Sequence, residues 1–400
     1  MSARNHRRVE CPFCSAWAVE HSALFESVAP RLLPCAMHLE GSFGRENSHN
    51  SVEVDSPSPW CHPIVVVPKK KGVRLCVDLT KLNKYVKRPY HPTTTPREAV
   101  TSIEPDAKYF TTLDMSQGYY QMELEEESQL LTTFLTPWGR YCFRRAPMGL
   151  SSTGDEFGRR GDEAIQDIQN IKKVVDDMIV YDSNYEEHCE RVREVLQRCR
   201  EKKITLNPDK FLFAENKVKY VGFQVSSEGI KADPDKVAAI EKFPKPKNIT
   251  ELRSFMGLVN QFGEFSSNIS KTANPLRGLL SKKNEFLWLP CHDKAFEDTK
   301  NALKSPPTLS HYDPQKETIL MTDASRLNGL GYALMQERDG KRVLIKCGSR
   351  FLLPAEARYS TTELELLAIT WATQKCHIYL AGVGNFQVET DHRPLVSILD

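Results

Sequence analysis

The stretch KKVVDDMIVYD, residues 172–182, constrains the chain most, because two adjacent aspartates break a run of β-branched and aromatic residues. Such a run reads as a buried strand. Burying an unpaired carboxylate is costly, so the chain must turn at the pair or bring something cationic to it. Asp176-Asp177 is therefore placed at the tip of a hairpin. A second strand candidate, YFTTLDM (Tyr109–Met115), carries Asp114 at its end, 62 residues before Asp176. Three carboxylates around two divalent ions would suit in-line phosphoryl transfer. Taken alone, a solvated Asp-Asp turn is the commoner outcome.

The surrounding elements are short and mixed, which gives an α+β reading. IVVV (Ile64–Val67) and VRLCVDL (Val73–Leu79) flank the basic turn Lys69-Lys70-Lys71-Gly72 as a hairpin. TTFLTP and GRYCF make another hairpin, with Trp138-Gly139 at its turn, Trp138, Tyr141 and Phe143 in its core, and Pro147–Leu150 after it. Ser183 and Glu186 form a capping box before a helix whose Val192, Val195, Leu196 and Cys199 make an apolar stripe. KFLFA and VKYVGFQV read as a hairpin around Glu215-Asn216. Asp233-Pro234 opens a helix, FPKPKN is a linker, Asn248 and Glu251 cap the next helix, and residues 244–310 are mostly helical. Three strands (TILMTD, GLGYALMQ, RVLIKCGSR), a helix capped by Ser360 and Glu363, and a fourth strand FQVETD follow. Ordered chain is expected from about Trp60; residues 1–58 read as an irregular leader rich in Ser, Pro and Asn.

Composition excludes several classes. The 54 Lys+Arg against 52 Asp+Glu leave a net charge of only +2, so a nucleic-acid partner requires basic residues concentrated in one channel. No apolar run reaches the roughly 18–20 residues of a membrane span, and MSARNHRR lacks a secretory core. Eleven scattered cysteines do not make a disulfide framework, and a reducing, intracellular setting (a cytoplasmic particle or the nucleus, not secretion) is expected. Cys11, Cys14, Cys35 and His38 have zinc-compatible spacing; chance placement is favoured because no apolar core frames them.

The segments SPWCHPIVVVPKKKGVRLCVDLTKLN, YFTTLDMSQGYYQMEL, LLTTFLTPWGRYCFRRAPMGLSSTGDEF, VVDDMIVYD, LNPDKFLFAENKVKYVGFQVSSEG, ELRSFMGLVNQF and TDASRLNGLGYALMQ through TDHRPLVSILD occur in one order over about residues 58–400. This order resembles the reverse transcriptase and RNase H portion of gypsy-type LTR retrotransposon Pol polyproteins. The resemblance implies a right-hand polymerase, with fingers and palm over 59–230 and thumb and connection over 231–310. An RNase H-like α/β domain follows over 311–400, and its carboxy end reads as truncated. It implies RNA-directed DNA synthesis from dNTPs on an RNA template and DNA primer, with Mg²⁺ or Mn²⁺ at Asp114, Asp176 and Asp177. Lys69, Lys70, Lys71 and Arg74 would hold the triphosphate, Tyr119 would exclude a 2′-OH, and Met148 and Gly149 would line the dNTP site. Asp323, Glu365 and Asp391 match three metal-binding acids of an RNase H acting on RNA–DNA hybrid.

Two departures stand against the family pattern. Val174 occupies a position that is usually aromatic, and the chain stops nine residues after Asp391, where a fourth acid is expected. The nuclease is therefore expected to be weaker than the polymerase. The pairs Arg144-Arg145, Arg159-Arg160 and Lys172-Lys173 read as solvated faces or as phosphate contacts beside a template–primer channel. A decayed or domesticated copy that binds nucleic acid without turnover is the alternative.

Overall fold

The computed structural model describes residues 50–54, 58–68, 73–136, 139–266, 269–281, 284–304 and 306–399. Cys11, Cys14, Cys35, His38, Lys69, Lys70, Lys71 and Trp138 lie outside the described residues. In chain order the strands are β1 (Ser51–Glu53), β2 (Ile64–Pro68), β3 (Val73–Val77), β4 (Tyr109–Asp114), β5 (Phe134–Thr136) and β6 (Gly139–Phe143). Next come β7 (Ile171–Val174), β8 (Asp177–Asp182), β9 (Leu212–Glu215), β10 (Lys217–Tyr220), β11 (Phe223–Ser226) and β12 (Gly229–Ala232). The last four are β13 (Thr318–Ser325), β14 (Gly329–Arg338), β15 (Lys341–Arg350) and β16 (Gln387–Glu389). The main helices are α1 (Pro96–Thr101), α2 (Thr153–Ile165), α3 (Tyr185–Glu201), α4 (Pro234–Glu241) and α5 (Ile249–Gln261). They continue as α6 (Ile269–Arg277), α7 (Pro290–Lys304), α8 (Thr361–Lys375) and α9 (Arg393–Leu399). Among the described residues no helix is long and apolar enough to cross a membrane.

The chain divides into two units: the part up to Pro92 with Gln117–Arg160, and Thr93–Ser116 with the chain from Gly161 onward. In the first unit β2 and β3 form an antiparallel hairpin, and β1, β6 and β5 form a separate sheet. Its core gathers Val77, Leu79, Leu82, Phe134 and Phe143. Regular structure begins earlier than Trp60, because Ser51–Glu53 pairs with Tyr141–Phe143 and the Val54 N–H donates to the Arg140 carbonyl at 2.9 Å. A three-residue edge strand is too short to show a period in the sequence.

In the second unit the sheet order is β7-β8-β4-β9, with β8 and β4 at its centre. Met178, Ile179 and Val180 are fully buried there, as the valine-rich run predicts. One core continues from Phe110 and Ile179 through Ile230 on β12 to Leu252, Phe255 and Phe265 in the helical region. The Ile230–Leu309 bridge ties that region to β12, and Gly229 permits it. Gly229 has φ +128°, and a Cβ there would meet the Leu309 carbonyl oxygen at 2.2 Å. The last sheet, β15-β14-β13-β16, is antiparallel except for the parallel β13–β16 pair, and α8 packs on β13.

Three local expectations are corrected. KFLFA and VKYVGFQV do not pair with one another: β9 joins β4, while β10 closes onto β11. The turn between β10 and β11 is Val221-Gly222, with φ +42° and +88°, and two positive φ values match the twist of a two-residue hairpin. The cap of α3 is Asn184 rather than Ser183; its side chain accepts from the Glu186 and Glu187 N–H groups. Leu196 is exposed, so the buried stripe of α3 is His188, Val192, Val195 and Cys199.

Candidate active sites

The Asp-Asp pair does fall at a hairpin tip. Val174 pairs with Asp177, leaving Val175 and Asp176 as the two turn residues. Val175 has φ +55°, a left-handed conformation that a β-branched residue adopts only under constraint, at a cost of order 1–3 kcal/mol. Across the sheet Asp114 pairs with Asp177, and the Met115 N–H donates to the Asp176 carbonyl at 2.9 Å. The ends of β4 and β8 thus bring Asp114 and Asp177 together, with Asp176 on the adjoining turn. Burial raises the Asp177 carboxyl to about 6; Asp176 and Asp114 push the same way and Lys210 opposes them.

Lys210 brings a cation to this group through Asp114. Its Nζ lies 2.6 Å from Asp114 Oδ2, and its own pKa is raised by that hydrogen bond. Asn207 adds a backbone N–H to the Asp114 carbonyl at 2.8 Å. The sequence offers no signal for either residue, because they follow Asp114 by more than 90 positions and arrive on the loop before β9.

The first-unit candidates are described by themselves. Arg74 lies on β3, where its backbone pairs with Val67. Tyr119 stands in a short 3-10 turn and packs edge-on against Phe157, with ring centroids 5.3 Å apart. Gly149 has φ +98°, and its carbonyl accepts from Asn83 Nδ2 at 2.8 Å, which fixes the loop after Met148.

The second acidic cluster is tighter. Asp323 stands on β13, Glu365 on α8 and Asp391 just beyond β16, and one carboxylate oxygen from each lies within 4.8 Å of the others. Among the described residues it is the only such group of three. Glu365 is 3% exposed and its Oε2 has no hydrogen-bond partner. Burial, then Asp391 and Asp323, raise its carboxyl to about 7. A buried carboxylate with one unpartnered oxygen, beside two exposed ones, is a donor set that fits a hard divalent cation.

Of the three basic pairs, Arg145 meets Glu123, and Arg159 and Arg160 meet Glu156. Lys173 is no solvated face: its side chain is buried and paired with Asp162.

Residues 67–225 match the family profile described as "Reverse transcriptase (RNA-dependent DNA polymerase)", and 288–388 match "RNase H-like domain found in reverse transcriptase". The retrovirus-related Pol polyprotein from transposon opus of Drosophila melanogaster is 34% identical over 365 residues, which cover 86% of this chain and 36% of the relative. The corresponding polyprotein from transposon gypsy is 33% identical over 363 residues, covering 85% and 34%. The chain belongs to the reverse transcriptase–RNase H family of LTR-retrotransposon Pol polyproteins. The Tf2-3 transposon polyprotein of Schizosaccharomyces pombe, 30% identical over 339 residues, extends the family across 84% of this chain and 25% of its own length. The chain thus spans about a quarter to a third of the length of these relatives.

Solved structures agree on the fold. A foamy viral protease-reverse transcriptase in complex with ds DNA superposes with a TM-score of 0.78 at 21% identity, over 87% of this chain and 61% of that one. The foamy viral enzyme in complex with RNA/DNA hybrid gives 0.74 at 22% identity, over 86% and 47%.

Proposed function

We propose that the chain is an RNA-directed DNA polymerase that extends a DNA primer on an RNA or DNA template. The observation that carries this reading is the register of β4 against β8, which sets Asp114 opposite Asp177 with Asp176 on the next turn. The primer 3′-OH attacks the α-phosphate of a dNTP, and pyrophosphate leaves. Divalent cations, Mg²⁺ or Mn²⁺, held by Asp114, Asp176 and Asp177 would activate the hydroxyl and stabilise the leaving group. Lys69, Lys70, Lys71 and Arg74 hold the triphosphate, Tyr119 lies under the sugar, and Met148 and Gly149 line the nucleotide. The chain's own contribution is mostly placement and fixed charge.

A second activity is proposed for Asp323, Glu365 and Asp391: cation-assisted hydrolysis of the RNA strand of an RNA–DNA hybrid. The unpartnered, buried Glu365 Oε2 supports it. Related folds have been captured with RNA/DNA hybrid, the duplex this second activity would act on, and with ds DNA.

Primer extension on poly-rA/oligo-dT with Mg²⁺ tests the first activity, with Asp176→Asn as the blank. Extension that falls by several orders of magnitude in a folded Asp176→Asn protein is the expected result. Equal extension by the two proteins would refute the triad assignment. A wild-type protein that binds the hybrid without extending it would favour the non-catalytic, nucleic-acid-binding alternative.

A further inference from the structure

Lys173 stands on β7 three residues before Asp176, and its side chain is 3% exposed. Its Nζ lies 3.0 Å from Asp162 Oδ1 at the end of α2 and 3.5 Å from the Val175 carbonyl oxygen. The space it fills exists because residue 161 is glycine. A Cβ at Gly161 would lie 2.9 Å from Lys173 Cε and 3.1 Å from Nζ. A missing side chain, an acid beside it and a lysine on the facing strand therefore form one socket.

An ammonium leaves water only when partners replace its hydration, and an apolar side chain of similar length would fill the same volume without that demand. The charge thus needs a reason beyond packing. The Val175 carbonyl belongs to the residue with φ +55°, and such a conformation persists only where its surroundings over-determine it. The following peptide carries Asp176. The cation that touches the carboxylates directly is Lys210, whose Nζ lies 2.6 Å from Asp114 Oδ2, whereas Lys173 pairs with Asp162.

We propose that Lys173 is a positioning residue which ties the Val175–Asp176 turn to α2 through Asp162, so that Asp176 and Asp177 point in one fixed direction. Gly161 and Asp162 are its socket. The proposal rests on the polymerase reading, since it assigns those two carboxylates to metal binding.

The test compares wild type with Lys173→Met, Lys173→Arg and Gly161→Ala in the full chain. Primer extension gives kcat, KM for dTTP and the Mg²⁺ concentration for half-maximal rate, and thermal unfolding gives Tm. Binding of Mn²⁺ is followed by electron paramagnetic resonance, with every protein carrying Asp323→Asn to silence the second cluster. Lys173→Met is expected to keep a cooperative unfolding transition, lose about 10- to 100-fold in kcat and require more Mg²⁺, with KM for dTTP little changed. Lys173→Arg, which keeps the donor, is expected to recover much of the kcat. Gly161→Ala, which pushes on the lysine, should shift kcat in the direction of Lys173→Met.

Wild-type kcat and Mg²⁺ dependence in Lys173→Met would overturn the proposal. So would an equal loss of kcat in the Met and Arg variants that tracks only their Tm. A wild-type protein with no more extension than Asp176→Asn would refute the polymerase reading. The Mn²⁺ arm then decides the socket alone: weaker binding in Lys173→Met supports it, and unchanged binding overturns it.

Discussion

Tyr119 packs edge-on against Phe157, and its hydroxyl oxygen lies 3.7 Å from where a Gly154 Cβ would stand. If that ring lies under the sugar of the incoming nucleotide, Tyr119→Val should admit a 2′-OH. The kcat/KM ratio of dNTP to rNTP is then expected to fall about 10- to 100-fold, and an unchanged ratio would leave Tyr119 with packing alone. A buried residue gives a stability prediction of the opposite kind. Asp182 accepts from His188 Nδ1 at 2.8 Å, Arg191 Nε at 2.7 Å and Asn170 Nδ2 at 3.2 Å. Burial raises its carboxyl, but the bonds from His188, Arg191 and Asn170 outweigh burial and hold it below the ordinary carboxylate value. A depressed folded pKa gives stability that is full above the unfolded value of about 4 and lost as pH falls through the folded one. Asp182→Ala strands His188 and Arg191 and should cost about 3–5 kcal/mol at pH 7 by urea unfolding. The deficit should shrink toward pH 3, and a constant deficit would mean that the charge of Asp182 contributes nothing.

Elements were legible where local chemistry settles them. The cap and proline of α4, the cap of α5 and the capping box of α8 stand where the residues predict. The hairpin carrying Asp176 is legible because a charge cannot continue a buried strand. Pairing between strands is less so: β9 and β10 are adjacent in sequence yet join different sheets, and the deciding turn, Val221-Gly222, includes a valine that no turn rule favours. The three acids of the second cluster were legible as two strand-end acids and one within a helix, whereas Lys210 and the Gly161–Lys173 socket depend on contacts between elements far apart in sequence. The cap of α3 offers a check at this scale. Asn184→Ala removes the acceptor for the Glu186 and Glu187 N–H groups and should lower stability by about 1 kcal/mol. Ser183→Ala should be near neutral; a larger effect at Ser183 would return the cap to the residue that the capping-box pattern favours.

At the scale of the whole molecule the two acidic clusters should be separable. Asp323→Asn is expected to abolish RNA cleavage on a labelled hybrid while leaving primer extension intact, and Asp176→Asn to do the reverse. Loss of both activities in either variant would mean one shared site. The second cluster also sets a pH dependence. Glu365 is raised from an ordinary 4.5 to about 7. A raised folded pKa gives stability that is present below about 4.5 and lost as pH rises through 7, because the folded state holds a proton that the unfolded chain has released. A divalent cation reverses this, since it binds the ionised carboxylate and displaces that proton. In EDTA, Tm should therefore fall between pH 5 and pH 7.5 through this group, and Mg²⁺ should raise Tm more at pH 7.5 than at pH 5. Glu365→Gln cannot ionise, so it should lose that slope and most of the Mg²⁺ response while the Asp114–Asp177 site is untouched. Calorimetric scans of wild type and Glu365→Gln at both pH values, with EDTA or Mg²⁺, separate the two contributions. An identical Mg²⁺ response in the two proteins at pH 7.5 would show that the cluster on β13, α8 and β16 holds no cation.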